Sequence, residues 1–129
     1  MRHYRIKVAD ALAAHDRALQ AGGFPGIRRI EDVLSAIARP YPGYHRSIQR
    51  KAAALFQSVA TSHGFVDGNK RTAVLLTDLL LTRSGYELRA APDDISLDHA
   101  IEEFAVSVAM HDPGFDQVVA WFEARIHKP

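Results

Sequence analysis

Apolar residues recur along this chain at the spacing of a helix, three or four apart, and almost nowhere in strict alternation. Val8, Ala11, Leu12, His15 and Leu19 make the first such stripe, and Gly22-Gly23 brings it to a stop. Ile30, Val33, Leu34 and Ile37 make a shorter one that ends ahead of Pro40, because the residue before a proline avoids helical geometry. Ile48, Ala52, Leu55, Phe56 and Val59 run on towards His63. From Lys70 to Ser84 the segment is apolar on nearly every side (Val74, Leu75, Leu76, Leu79, Leu80, Leu81), which predicts a buried helix. Gly85 follows it, where a helix end favours a left-handed residue. Two further stripes, Leu97-Ile101-Phe104-Ala105-Val108 and Phe115-Val118-Val119-Phe122-Ile126, lie either side of the Pro113-Gly114 break. Tyr86 to Arg89 reads as a short extended piece. The expectation is an all-α, single-domain bundle of about six helices over residues 1–129, built around the 70–84 helix.

Composition narrows the class. A chain of 129 residues, 47% hydrophobic and 24% charged, supports one real core and is not that of a disordered protein. Without cysteine there is no disulfide framework, thiolate nucleophile or Cys-based zinc site. The opening Met-Arg-His-Tyr-Arg-Ile-Lys has no apolar signal region. The greasiest run, Ala73 to Leu81, is broken by Thr77 and Asp78 and falls far short of the ~20 residues of a membrane span. A cytoplasmic protein with no membrane contact is expected. The net charge of +1 hides an asymmetry: residues 1–86 hold 13 Lys and Arg against 6 Asp and Glu, and residues 87–129 hold 3 against 9. Such a split fits an anionic ligand on the basic side, or no more than solvated helix faces. The basic residues are scattered with little aromatic interleaving, which argues against direct nucleic-acid binding.

The chemistry concentrates in His63-Gly-Phe-Val-Asp-Gly-Asn-Lys-Arg71, whose last residues open the 70–84 helix. The first N–H groups of a helix lack intrahelical partners and lie at the positive end of its dipole, a natural anion site. Lys70 and Arg71 add two cations where they oppose that dipole, an arrangement that makes sense if a phosphate is held there. Asp67 offers a hard oxygen ligand suited to a Mg²⁺ that bridges phosphates, and His63 can accept a proton from a hydroxyl near neutral pH. Phe65, apolar within a polar loop, would pin the loop to the core. Each element also has a plainer explanation, since Asp-Gly-Asn is common turn composition and Lys-Arg is often a solvated helix edge. The other histidines, His111 among them, read as unremarkable, and His15 as a core histidine. No Walker-type loop, zinc helix, EF-hand spacing or nucleophile elbow is present.

The nine residues His63-Gly64-Phe65-Val66-Asp67-Gly68-Asn69-Lys70-Arg71 resemble the signature loop of the Fic/Doc (Fido) superfamily, in its death-on-curing form. His15-Asp16, Gly22-Gly23 with Pro25-Gly26, and Ala38-Arg39-Pro40 extend the likeness over most of the chain. The resemblance implies a Fido fold in which His63 is the base that deprotonates a target hydroxyl and Asp67 binds Mg²⁺ on the phosphates of ATP. It implies that Gly68 and Asn69 lie in the anion-binding turn, that Arg71 grips phosphate with Lys70 beside it, and that Phe65 is the buried anchor. It also implies a flap at Pro40–His45, with Tyr41, Pro42, Gly43 and Tyr44 facing a target segment in extended form.

Lys70 departs from the AMP-transferase pattern, which typically has glycine there and a second arginine where this chain has Val74. A lysine fills the space in which an α-phosphate would nest and offers a point charge instead. The likeness to Doc-type toxins therefore implies transfer of the γ-phosphate of Mg·ATP to a threonine of a translation protein such as elongation factor Tu. AMP transfer on the same site, for which Gly68 is the usual choice, stands as the alternative, and a catalytically degenerate binding module as a second. No Ser or Thr is followed four residues later by Glu, so the family's inhibitory helix motif is missing. The resemblance implies instead a Phd-like antitoxin acting in trans.

Overall fold

A computed structural model describes residues 2–43 and 45–129. Six helices account for most of it: α1 (Val8–Leu19), α2 (Ile30–Ala38), α3 (Ile48–Ala60), α4 (Asn69–Arg83), α5 (Leu97–Ala109) and α6 (Phe115–Glu123). The fold is the all-α bundle that the apolar periodicity predicts. Starts are marked by side chains that accept orphan backbone N–H groups: Ser47 from Arg50, Ser96 from His99, and Asp10 back to Lys7. Among the described residues no helix is long and apolar enough to cross a membrane.

The centre of the bundle is a pair rather than the single helix expected. α3 buries eight of its residues, among them Ala52, Ala53, Leu55 and Phe56, all fully enclosed. α4 buries Thr72, Ala73, Leu76, Thr77, Leu80 and Leu81, but its Lys70, Arg71 and Asp78 reach solvent. Alanine explains why α3 was underrated: a run of small residues reads as weakly apolar, yet it lets two helix backbones approach closely. α1 and α5 pack on α4, and α2 and α6 on α3. The first two stripes turn slightly from their expected faces. α1 buries Ala11, His15 and Ala18 while Val8 and Leu12 stay more than a third exposed, and α2 buries Val33, Ala36 and Ile37 rather than Leu34.

Ile126 does not extend α6. With His127 it forms β2 (Ile126–His127), paired antiparallel to β1 (Glu87–Leu88), which is the short extended piece expected near Tyr86. This two-stranded clip ties the end of the chain to the end of α4. Nearby, Arg125 holds Asp94 through two hydrogen bonds of 2.6 and 2.9 Å and lies over the Trp121 ring, with both charged groups nearly buried.

At one end of the bundle four helix termini converge on an open cleft of about 640 Å³. Residues following α1 (Ala21–Gly23), the end of α3 with Thr61–His63, the start of α4 (Asn69–Arg71), and the end of α5 (Ala109, His111) line it. α1, α3 and α5 bring their C-termini there, so α4 is the helix that presents the positive end of its dipole.

Candidate active site

The loop from Thr61 to Gly68 is fastened at every turn, and its fastenings explain its sequence. Ser62 Oγ accepts the Gly64 N–H at 2.9 Å, which turns the chain out of α3. The Gly64 carbonyl then accepts from both Arg28 and Arg29, at 2.8 and 3.1 Å, and Val66 donates to the Gly26 carbonyl at 3.0 Å. These bonds lay residues 26–29 beside the loop as a short antiparallel edge, with Ile27 opposite Phe65. Gly64 has no room for a side chain, since a Cβ there would stand 2.6 Å from Val33 Cγ2 and 2.9 Å from the Val33 nitrogen.

Phe65 is buried, as an anchor should be, and its ring stacks on His15 at 3.8 Å and 7°. His15 is the core histidine that the α1 stripe predicts, only 4% exposed, yet it is bonded to the site. Its Nε2 lies 2.8 Å from the carbonyl oxygen of Asp67, a hydrogen bond that fixes the loop against α1. Asn69 closes the turn from the other side. Its Oδ1 accepts the Phe65 N–H and its Nδ2 donates to the Phe65 carbonyl, which leaves Asn69 its backbone N–H and the second Nδ2 hydrogen as donors for an anion.

Asp67 has its carboxylate held by the backbone. Oδ2 accepts from Phe24 N at 3.1 Å and Oδ1 from Gly68 N at 2.8 Å. These two bonds, the Phe24 one first, with the nearby positive charges of Lys70 and Arg71, hold its carboxyl below the ordinary aspartate range. A Cβ at Gly23 would lie 3.0 Å from Oδ2, so the segment after α1 approaches this carboxylate as only glycine allows. Gly68 follows with φ of 80°, the left-handed region, and caps α4. No protein atom stands closer than 3.6 Å to the place of its missing Cβ, so among the protein's own atoms it is the backbone turn that calls for glycine here. The Gly68 carbonyl is taken by the Thr72 N–H and hydroxyl, whereas the N–H groups of Asn69, Lys70 and Arg71 meet no protein acceptor among the described residues.

His63, Asp67, Gly68, Asn69, Lys70 and Arg71 thus all line one cleft. His63, Lys70 and Arg71 are exposed, and among the described residues neither cation is engaged in an ion pair. The ion pairs that do form stay within each half of the chain: Arg29 with Glu31 and Asp32, Arg89 with Glu87, His99 with Glu103, Arg125 with Asp94. The acidic helices therefore do not neutralise the loop, and the charge split expresses itself at the start of α4.

The donor set fits one kind of metal binding. Among the described residues no three His, Asp or Glu groups gather as a cage. Asp67 is the carboxylate lining the cleft, held ionised with a lone pair left on each oxygen. One carboxylate beside an anion-binding turn suits a Mg²⁺ that completes its shell with phosphate oxygens and water.

The residues expected as a flap lie at the other end of α3 from His63. Tyr41, Pro42 and Gly43 precede α3, whose axis of about 18 Å separates them from His63 at its far end. The Tyr41 hydroxyl donates to the Tyr4 carbonyl and accepts the Ile6 N–H at 2.7 Å, and the Pro42 carbonyl accepts from His45, so this loop clamps the N-terminal segment. Tyr44 lies outside the described residues. The segment bonded beside the His63 loop is 26–29, which follows the Gly22-Gly23 and Pro25-Gly26 pairs that extend the family likeness. Two further residues reach the site without a signal in the sequence: Phe24, which bonds Asp67 through its backbone N–H, and His111, which lines the cleft from the end of α5.

A family model described as the Fic/DOC family matches residues 5–81. A curated relative named Toxin Doc, from Mycolicibacterium smegmatis, is 39% identical over 117 residues, which cover 86% of this chain and 85% of the relative. The whole of the loop and the first turns of α4 fall within the family match, while α5 and α6 lie beyond it.

Proposed function

Because the chain belongs to the Fic/DOC family, we propose that it is the toxin of a toxin–antitoxin pair, an ATP-dependent transferase that modifies a protein target. In this reading it transfers the γ-phosphate of Mg·ATP to a threonine hydroxyl of a translation protein such as elongation factor Tu. A Phd-like antitoxin restrains it in trans.

One observation carries the reading. An exposed imidazole and a helix N-terminus with three unpartnered N–H groups and two unpaired cations share a cleft, with an ionised carboxylate between them. Phosphoryl transfer requires mainly positioning and charge neutralisation, which such an arrangement can supply. The N–H groups of Asn69 to Arg71 and the side chains of Lys70 and Arg71 hold the phosphate chain. Mg²⁺, held by Asp67, supplies further neutralisation of the phosphate oxygens when bound. His63 accepts the proton of the target hydroxyl as its oxygen bonds to the γ-phosphorus. The bond from that phosphorus to the β–γ bridging oxygen breaks, and ADP leaves with the electron pair. His15, Phe65 and Asn69 keep His63 and Asp67 in register by holding the loop between them.

The alternative, AMP transfer, had Gly68 in its favour. The positive φ of Gly68 calls for glycine in either reading, and Lys70 stands at the helix start where the AMP-transferase pattern has glycine, which supports phosphate transfer. The test is incubation of the protein and target with ATP labelled at either the α or the γ position. Label from the γ position alone is expected on the target, and label from the α position overturns the assignment. Loss of transfer and of growth arrest in His63→Ala is expected, and arrest that survives it would point to a binding module.

A further inference from the structure

We propose that His111 is a nucleotide-contacting residue, donating a hydrogen bond to a phosphate oxygen from the end of α5; this rests on the nucleotide reading of the cleft. The geometry that points to it is a backbone device used twice. α4 ends with Gly85 N–H on the Thr82 carbonyl and Tyr86 N–H on the Leu81 carbonyl, Gly85 taking φ of 88°. α5 ends the same way, with His111 N–H on the Val108 carbonyl at 2.9 Å and Asp112 N–H on the Ser107 carbonyl at 3.1 Å. Both are Schellman motifs, whose left-handed residue is normally glycine. At α4 it is glycine, at a place remote from the cleft. At α5 it is His111, with φ of 61°, alone among the described non-glycine residues in having positive φ.

The rest of the protein gives no reason for that choice. His111 is exposed, and among the described residues its imidazole makes no hydrogen bond, ion pair or ring contact. It lines the cleft that holds His63, Lys70 and Arg71. A strained backbone position filled by an unengaged polar side chain at a cleft wall is the signature of a ligand contact. The neighbourhood indicates which part of the ligand. The cationic side chains lining the cleft come from the first turn of α4, and the next turn offers Val74, which is apolar and half-buried. On the α5 side the cleft is lined by Ala109 and His111, of which only His111 carries a side-chain hydrogen-bond donor. His111 is then the group able to donate to the phosphate chain from α5, and it lies outside the stretch that the family match covers.

The test measures calorimetric binding of ATP and of adenosine to the full chain and to His111→Gly and His111→Asn, with the thermal midpoint of each. Glycine suits the left-handed position, so His111→Gly melts at or above wild type. Its Kd for ATP rises about tenfold while its affinity for adenosine is unchanged, as loss of one charge-assisted hydrogen bond requires. Asparagine tolerates the same geometry and keeps an N–H donor, so His111→Asn recovers part of the ATP affinity. Unchanged ATP binding in His111→Gly overturns the proposal, as does an equal loss for adenosine. A wild-type chain that binds no ATP removes the nucleotide reading and this one with it, whereas wild-type binding that His111→Gly leaves intact removes only the role of His111.

Discussion

Replacing Gly64 by alanine adds one methyl group at the most crowded point of the loop. Gly64 does not have positive φ, so the change carries no penalty of backbone conformation and tests space alone. The new Cβ would lie 2.6 Å from Val33 Cγ2, 2.9 Å from the Val33 nitrogen and 3.2 Å from Ser62 Oγ. The Val33 methyl can rotate aside. The Val33 nitrogen cannot, because it belongs to the first turn of α2 and donates to the Arg29 carbonyl. The loop must therefore retreat, and its Gly64 carbonyl pulls away from the Arg28 and Arg29 N–H groups. Overpacking of this kind costs ~1–3 kcal/mol, and two weakened backbone hydrogen bonds add roughly 1 kcal/mol each. A loss of about 3–5 kcal/mol is expected in urea unfolding, a large fraction of the stability of a domain this size. The informative measurement is a double-mutant cycle with Val33→Ala. Removing the Val33 side chain clears the 2.6 Å contact and leaves the 2.9 Å one, so it recovers only part of the loss. Full rescue by Val33→Ala would refute the reasoning, and so would a Gly64→Ala chain within about 0.5 kcal/mol of wild type.

Asp67 should titrate below the ordinary aspartate value of 3.8, because its charged form accepts the Phe24 and Gly68 N–H groups. A folded pKa below the unfolded one means that this stabilisation is complete above 3.8 and is lost as pH falls through the lower folded value. Carboxyl carbon NMR of the folded protein checks it, and a midpoint at or above the ordinary value would contradict the bonding described. Thr77 is fully buried in α4 and its hydroxyl finds no hydrogen-bond partner among the described residues. Thr77→Val keeps the shape and removes the unsatisfied group, so it should stabilise the protein by about 1 kcal/mol, or roughly 3 °C in Tm. A calorimetric Tm at or below wild type would imply a partner for that hydroxyl.

Helices were legible from sequence because burial leaves a period in the chain. The spacing locates all six, the break after α4 leaves the extended piece at 87–88, and the loop at 63–71 is marked by its likeness to a family signature more than by residue types that also suit an ordinary turn. What escaped notice lacks such a record. The centrality of α3 rests on alanines, whose small size matters only once a second helix is in place. Ile126 has the right spacing for α6, yet pairs with Leu88, because a strand partner 38 positions away leaves no local signal. The segment beside the 63–68 loop is hidden in the sequence for a similar reason. Proximity in the fold runs through Gly26, Arg28 and Arg29, whose contribution is made by backbone atoms that every residue possesses. Tyr41, by contrast, is conspicuous in sequence and serves the N-terminal segment.

The long bonds that fasten the loop also set when the site comes into being. His15 reaches Asp67 across 52 positions and Phe24 reaches it across 43, while α3, the loop and α4 are neighbours in the chain. Local pairs can form early, but contacts at such separations must close large loops of chain first. During synthesis the helical pair can assemble with the loop still slack, and His63 and Asp67 acquire a fixed spacing only when α1 docks. The wall contributed by α5 emerges later still. Assembly of the site is therefore a late event in the folding of each molecule.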